Sequence, residues 1–173
     1  KFKPDNLFRV THGVLNFTGK GMVESSYDSS NTNVNVPVLY AIGSNTDKPD
    51  HSVITIGKDV TVQNLTGYGI GIGRPDNTSD KAYGARVVIA GTVTAKYGFS
   101  VTGNAKATTG VHLPEVIVEQ TSSLSGTGGG AIYASGYAKY KVAGTLQGTR
   151  FGIEIRAGEL TVEDTAIITA SDA

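Results

Sequence analysis

A pair of apolar residues separated by a single residue recurs six times along the chain: Leu15 and Phe17, Ile54 and Ile56, Val87 and Ile89, Val116 and Val118, Tyr140 and Val142, Leu160 and Val162. Side chains alternate across a strand, so each pair shares one face and the residue between points the other way. The intervening residues are Asn16, Thr55, Val88, Ile117, Lys141 and Thr161, a mixed set, whereas the flanking set is wholly apolar or aromatic. The alternation therefore marks the core face. One strand of this kind cannot bury its apolar face alone; six equivalent ones can do so by stacking, which is how a solenoid is written in sequence.

Each unit continues in the same style. A Gly or polar turn follows, as at Thr18-Gly19, Gly57-Lys58, Ala90-Gly91 and Ala143-Gly144. A second short strand carries Val60 and Val62, Val93 and Ala95, Leu124, Leu146 and, in the last unit, Ile167. A third opens as Tyr68-Gly69-Ile70-Gly71-Ile72 and recurs as Tyr97-Gly98-Phe99-Ser100-Val101 and Phe151-Gly152-Ile153-Glu154-Ile155. Val38-Leu39-Tyr40-Ala41 and Ala131-Ile132-Tyr133-Ala134 read as weaker copies. The Gly after the aromatic is expected to supply a bend or a positive φ at a corner.

The units shorten along the chain, from 39 residues between Phe17 and Ile56 to 20 between Val142 and Val162. Three short strands and three turns need roughly 20 residues, so the earlier units carry insertions. Three of these follow the third strand: Ser44 to Ser52, Arg74 to Ala85 and Asn104 to Pro114. A fourth, Glu24 to Pro37, precedes the third strand of the first unit. Equivalent corners of successive units are neighbours in space, so the post-strand loops are expected to lie side by side as one lip on a rod of five to six turns. Residues 1–12 read as an N-terminal capping segment, with Phe2, Leu7, Phe8 and Val10 forming a partial cap or an extra pairing strand. Residues 13–173 read as the solenoid, expected to be a piece of a longer protein because no capping element follows Ile168.

Composition agrees and excludes several classes. Gly contributes 23 of 173 residues and charged residues only 17%, which suits strands and tight turns and not helices. Basic and acidic residues balance at 15 each, so no excess positive charge points to nucleic acid. No apolar run is long enough to span a bilayer as a helix. Cysteine is absent, which removes disulfide and thiolate chemistry from this segment.

The stretches Gly69-Ile70-Gly71-Ile72, Val87 to Thr94 and Phe151 to Val162 resemble the right-handed parallel β-helix, the pectate-lyase-like superfamily, and are similar in style to Gly/Thr/Val-rich β-helical segments of bacterial surface proteins and adhesins. The resemblance covers about Gly13 to Ala170. It implies an all-β, right-handed parallel β-solenoid on a bacterial cell surface, joined to flanking domains of the same polypeptide. It also implies an extracellular, non-enzymatic, adhesin-like role in binding a host glycan or protein. The group includes polysaccharide lyases and glycoside hydrolases, so an enzyme fragment acting on an acidic polysaccharide is the alternative, with a ligand-free spacer as the third.

The candidate ligand-binding residues all lie in the lip: Asp50, His51, Arg74, Asp76, Asn77, Asp80, Tyr83, Asn104 and Lys106, with Asp47, Lys81 and His112 beside them. Sugars need planar donors and acceptors such as Asp, Asn and Arg, and an aromatic face; Tyr83 is the candidate face. The same residue types are also the ordinary material of solvated turns. Asp76-Asn77-Thr78-Ser79-Asp80 offers oxygens without the spacing of a calcium loop, and no metal or other cofactor is assigned. His12, His51 and His112 sit in different loops without metal-ligand spacing. Paired-carboxylate chemistry has one candidate, Glu119 with Glu163 two units on, about 9.6 Å apart at ~4.8 Å per unit. No catalytic residue is assigned. Glu154 and Arg156 read as a surface ion pair, and Tyr27, Tyr83 and Tyr137 as exposed loop aromatics.

Overall fold

The computed structural model describes residues 7–26, 37–73, 82–101 and 110–172, with only the backbone of Val101. Sixteen strands are present among these residues and no helix. In chain order they are β1 (Phe8–Val10), β2 (Gly13–Phe17), β3 (Gly21–Glu24), β4 (Pro37–Ile42), β5 (Ser52–Ile56), β6 (Val60–Gly73), β7 (Ala85–Ile89) and β8 (Thr92–Val101). These are followed by β9 (Glu115–Val118), β10 (Ser123–Gly126), β11 (Gly130–Ala134), β12 (Ala138–Val142), β13 (Thr145–Gly148), β14 (Phe151–Ile155), β15 (Gly158–Val162) and β16 (Ile167–Ala170).

Every pairing between these strands is parallel, and partners are never consecutive in sequence. One sheet has six strands in the order β2, β5, β7, β9, β12, β15. Its register puts Leu15, Ile54, Val87, Val116, Tyr140 and Leu160 in one row, and Phe17, Ile56, Ile89, Val118, Val142 and Val162 in another, matching the stacking read from the sequence. The other sheet has ten strands and contains two further rows, joined because β6 and β8 each run through both. The second-strand row is Val23, Val62, Val93, Leu124, Leu146, Ile168. The third-strand row is Phe8, Leu39, Ile70, Phe99, Ile132, Ile153. An all-parallel ladder whose strands return in threes, each to its own row, is consistent with a β-solenoid.

The core is the set of inward rows. Ile54, Ile56, Val87, Ile89, Val116, Val118 and Val142 are fully buried from the six-stranded sheet. Val62, Val93, Leu124 and Leu146 join them from the second row, and Leu39, Ile70, Phe99 and Ile132 from the third. At ~25 cal/mol per Å² of apolar surface, this continuous interior is the main stabilising term in a chain without disulfides.

Several local expectations are corrected. Leu146 pairs with Ile168, so Ile168 and not Ile167 continues the inward row; Thr145 opposite Ile167 fixes the register. The two weaker copies of the third strand hold their register, with Leu39 opposite Ile70 and Ile132 opposite Phe99, and Tyr40 and Tyr133 stand apart from the aromatic position of Tyr68 and Tyr97. They align with Gly71 and Ser100, on the outward face. The place equivalent to Tyr68 is held by Pro37 in one neighbour and Tyr97 in the other, with the Tyr68 and Tyr97 rings 4.8 Å apart. The glycines after the aromatics are not at positive φ. They are needed for close approach: a Cβ at Gly69 would lie 2.7 Å from the Gly98 carbonyl oxygen, one at Gly98 would strike the Ala131 carbonyl, and one at Gly152 the Ile168 side chain. Residues 8–10 of the N-terminal segment pair in parallel with β4, so an additional strand forms there.

The corner between the second and third rows hides a polar device. Asn64 is buried at the point where the β6 register shifts. Its Nδ2 donates to the Tyr68 carbonyl at 3.1 Å, and its Oδ1 accepts from the Thr66 backbone N–H at 3.2 Å. Buried amides persist where both ends are satisfied, and this one fixes the extra residues of β6 that β8 lacks.

Candidate functional site

Three segments between third and first strands, 43–51, 82–84 and 110–114, meet on one flank. Ser44 and Tyr83 form an isolated antiparallel bridge with two 2.9 Å hydrogen bonds. The Gly84 N–H donates to the His112 carbonyl at 2.7 Å, and the Ser52 N–H to the Gly84 carbonyl at 3.2 Å. Gly84 has φ +66°, and a Cβ there would strike the Lys48 carbonyl, so only glycine lets the loops approach this closely.

A single carboxylate joins the first and last of these segments. Asp47 accepts from the backbone N–H groups of Val111 and His112, both at 2.9 Å, and its Oδ1 lies 2.9 Å from His112 Nδ1. The two backbone donors hold the Asp47 carboxyl below its ordinary value, with His112 adding to the effect and desolvation opposing it. Asp50 sits beyond it at φ 40°, a left-handed conformation that Asp tolerates better than most residues. Its carboxylate is 3.6 Å from Arg86 Nη1, and both side chains are well exposed.

These segments line a recess of about 190 Å³ formed by Pro49, Asp50, Gly84, Ala85, Arg86, Val111, His112, Leu113 and Glu115. The recess opens onto the outer face of the six-stranded sheet. There Arg86, Glu115, Lys139 and Glu159 are successive partners in one row, so charge alternates in sign from strand to strand. A second recess of about 230 Å³ lies between Glu115, Ile117, Lys139, Lys141, Glu159 and Thr161. This charged row escaped the sequence reading. It is visible in hindsight as the residue preceding each inward apolar position: Arg86 before Val87, Glu115 before Val116, Lys139 before Tyr140, Glu159 before Leu160.

Of the residues expected in the lip, Asp50 borders the recess, and His51 has its ring stacked on His12 at 4.9 Å between centroids. That histidine pair joins loops far apart in sequence and was not foreseen. Arg74, Asp76, Asn77, Asp80, Asn104 and Lys106 lie outside the described residues, as do Lys81 and Tyr27. Tyr83 is placed differently from the expected sugar platform. It is only 4% exposed, because the Ser44 bridge draws it under the lip and Gly110 packs on its ring. Tyr137 is half-buried, and its hydroxyl donates to Glu159 at 3.3 Å.

The carboxylate pair read from the sequence is partly recovered. Glu119 and Glu163 both follow a first strand, and their N–H groups make equivalent bonds to Ile89 and Val142, with Ala143 holding the same place between them. Both lie in turns beyond the strand ends, not on strands as expected. Glu163 is engaged by Lys141 at 3.2 Å. Glu154 and Arg156 pair at 3.1 Å, with the guanidinium 5.2 Å from the Tyr133 ring centre. Among the described residues, no group of three or more His, Asp or Glu is arranged to hold a metal ion, and no helix is long and apolar enough to cross a membrane. Comparison with protein-family models, with curated proteins and with solved structures finds no match to the chain.

Proposed function

We propose that the chain is a right-handed parallel β-helix of the pectate-lyase-like kind, an extracellular and non-enzymatic segment of a bacterial surface protein. Its lip binds a host glycan or protein. The observation that supports this reading is the interlocking of the 43–51, 82–84 and 110–114 segments around one recess bordered by Asp50, Arg86, His112 and Glu115. A rigid ladder that holds loops in register is the usual way a solenoid presents a recognition surface. Mixed charge in the recess favours a ligand with both donors and acceptors, such as a sugar carrying an acidic or amide group.

A panel of immobilised glycans and host matrix proteins tests the reading. Binding by the intact chain is expected to fall at least about tenfold in Arg86→Ala or Asp50→Ala, the loss of one charged hydrogen bond or more. Unchanged binding in both variants would remove the lip from the function. The enzymatic alternative has one observation in its favour, the shared row of Glu119 and Glu163. It predicts slow cleavage of an acidic polysaccharide that Glu119→Gln abolishes.

A further inference from the structure

Gly69 turns inward at the corner that opens the third row. A Cβ there would lie 3.0 Å from Val93 Cγ1 and 3.2 Å from Ala95 Cβ, and Ile70 beside it is fully buried. The ring of Tyr68 therefore falls outside, and Tyr97 follows it in register. Tyr40 and Tyr133 stand on the same outer face, at the two ends of the run Tyr40, Gly71, Ser100, Tyr133. Four of the chain's eight tyrosines thus share one face. The outer face of the first row carries charges instead, and that of the second carries hydroxyls such as Thr92, Ser123 and Thr145.

The rings lie low on this face. Gly71 and Ser100 leave room between the tyrosines, and the rings take it: a Cβ at Gly71 would come 3.1 Å from Tyr40 Cδ2 and 2.9 Å from Pro37 Cγ, and Ser100 is only 3% exposed. All four tyrosines are half-buried. The Arg156 guanidinium stands 5.2 Å from the Tyr133 ring centre, and Lys96 Nζ 5.6 Å from that of Tyr97. The Arg156 side chain is well exposed, so the ring face beneath it is turned to water. Burial holds the Tyr68 phenol above its ordinary value, with Tyr97 and Tyr133 adding to the effect, so it remains a protonated donor at neutral pH.

We infer that this tyrosine face is a second binding surface, for an uncharged saccharide chain laid along the ladder axis. A pyranose ring offers a face of C–H groups to an aromatic face, whose quadrupole attracts them, and a rim of hydroxyls to donors at the edge. Here the rings supply the face, and the phenols, Arg156 and Lys96 supply the edge. The ligand is uncharged because Glu154, the one charged residue in line with Tyr133, is held by Arg156 at 3.1 Å. The run from Tyr40 to Tyr133 covers three ladder steps, about 14 Å, which is longer than one sugar ring. A proline-rich peptide docks in an aromatic-lined groove, and here the covered Ser100 leaves none between the rings. The surface is separate from the lip and does not depend on what the lip binds.

Affinity electrophoresis of the full chain tests the inference, through gels holding a soluble β-glucan, a xylan, a galactomannan, polygalacturonate or polyproline. At least one of the three neutral polysaccharides is expected to retard the wild type. Tyr97→Leu and Tyr133→Leu, with unchanged circular-dichroism spectra, are each expected to weaken that retardation about five- to tenfold. Should either variant fail to fold, the wild type alone carries the test. The chain has no tryptophan, so its tyrosine emission reports on the face, and the retarding polysaccharide is expected to change it and to shield it from iodide. Retardation by none of the neutral polysaccharides overturns the inference, as does retardation by polygalacturonate or polyproline alone. Leucine variants that bind as tightly as the wild type, or an unchanged tyrosine emission, overturn it equally.

Discussion

Tyr140 and Leu160 are adjacent members of one row, at equivalent places in consecutive strands, yet one is 2% exposed and the other 42%. Nothing local separates them: both lie at the middle of a short strand, flanked by residues that point outward. The difference is the neighbour above. Direction in a ladder is set by the pleat, but burial requires another layer on each side, so the pattern of a strand fixes which way a side chain points and not whether it is dry. The same contrast separates the ladder from the lip. Ladder positions repeat because each sees the same surroundings, whereas lip residues meet partners that no period places.

The largest test of this contrast is truncation of inward residues at two depths. Phe99→Ala removes a ring from the middle of the interior and is expected to cost about 3–5 kcal/mol of unfolding free energy, while Leu160→Ala is expected to cost less than about 1.5 kcal/mol. Denaturant unfolding reads both. Equal losses would mean that the last repeat is covered in solution.

A smaller effect sits inside the row itself. The Tyr140 hydroxyl is buried with no hydrogen-bond partner among the described residues. Tyr140→Phe is expected to raise stability by about 1 kcal/mol at neutral pH, because an unsatisfied buried donor is removed and the ring volume is kept. Burial also pushes the Tyr140 hydroxyl up from its ordinary value of 10.0, so the folded state favours the neutral form. The stability this confers is complete below pH 10 and is lost as pH rises beyond it. Tyr68, also raised by burial, acts in the same direction. The alkaline decline in thermal midpoint is therefore expected to be shallower in Tyr140→Phe than in the wild type, and identical curves would contradict the assignment.

The smallest effect belongs to the lip. Asp47 is held below its ordinary value of 3.8, so its contribution is present above that pH and disappears as acid titrates the carboxylate. Making Asp47→Ala at neutral pH is expected to leave the global unfolding midpoint unchanged. Amide exchange at Val111 and His112 should quicken about tenfold, as suits a local opening. A fall in the global midpoint would show that lip and ladder are one cooperative unit.

The first-strand rows were legible to the residue, because six copies of an apolar pair around one outward position leave no competing register. The second row was legible except at its end, where Ile167 and Ile168 are both apolar and only pairing with Thr145 and Leu146 decides between them. In the third row, Val38 to Ala41 and Ala131 to Ala134 were legible as copies because Leu39 and Ile132 keep the inward place of Ile70 and Phe99, whatever stands at the aromatic position. The gathering of loops on one flank followed from the unit lengths. The interior of that flank did not: the burial of Tyr83, the Asp47 clasp and the stacking of His12 on His51 each join residues with no common period.

Sequence alone determined the parallel ladder, its inward rows and the flank that carries the long loops, because these follow from alternation and repetition along the chain. Tertiary structure decided which loop residues are covered and which charges meet across the outer face. Those outcomes depend on what packs against each residue from other repeats, and a strand's own pattern holds no record of that.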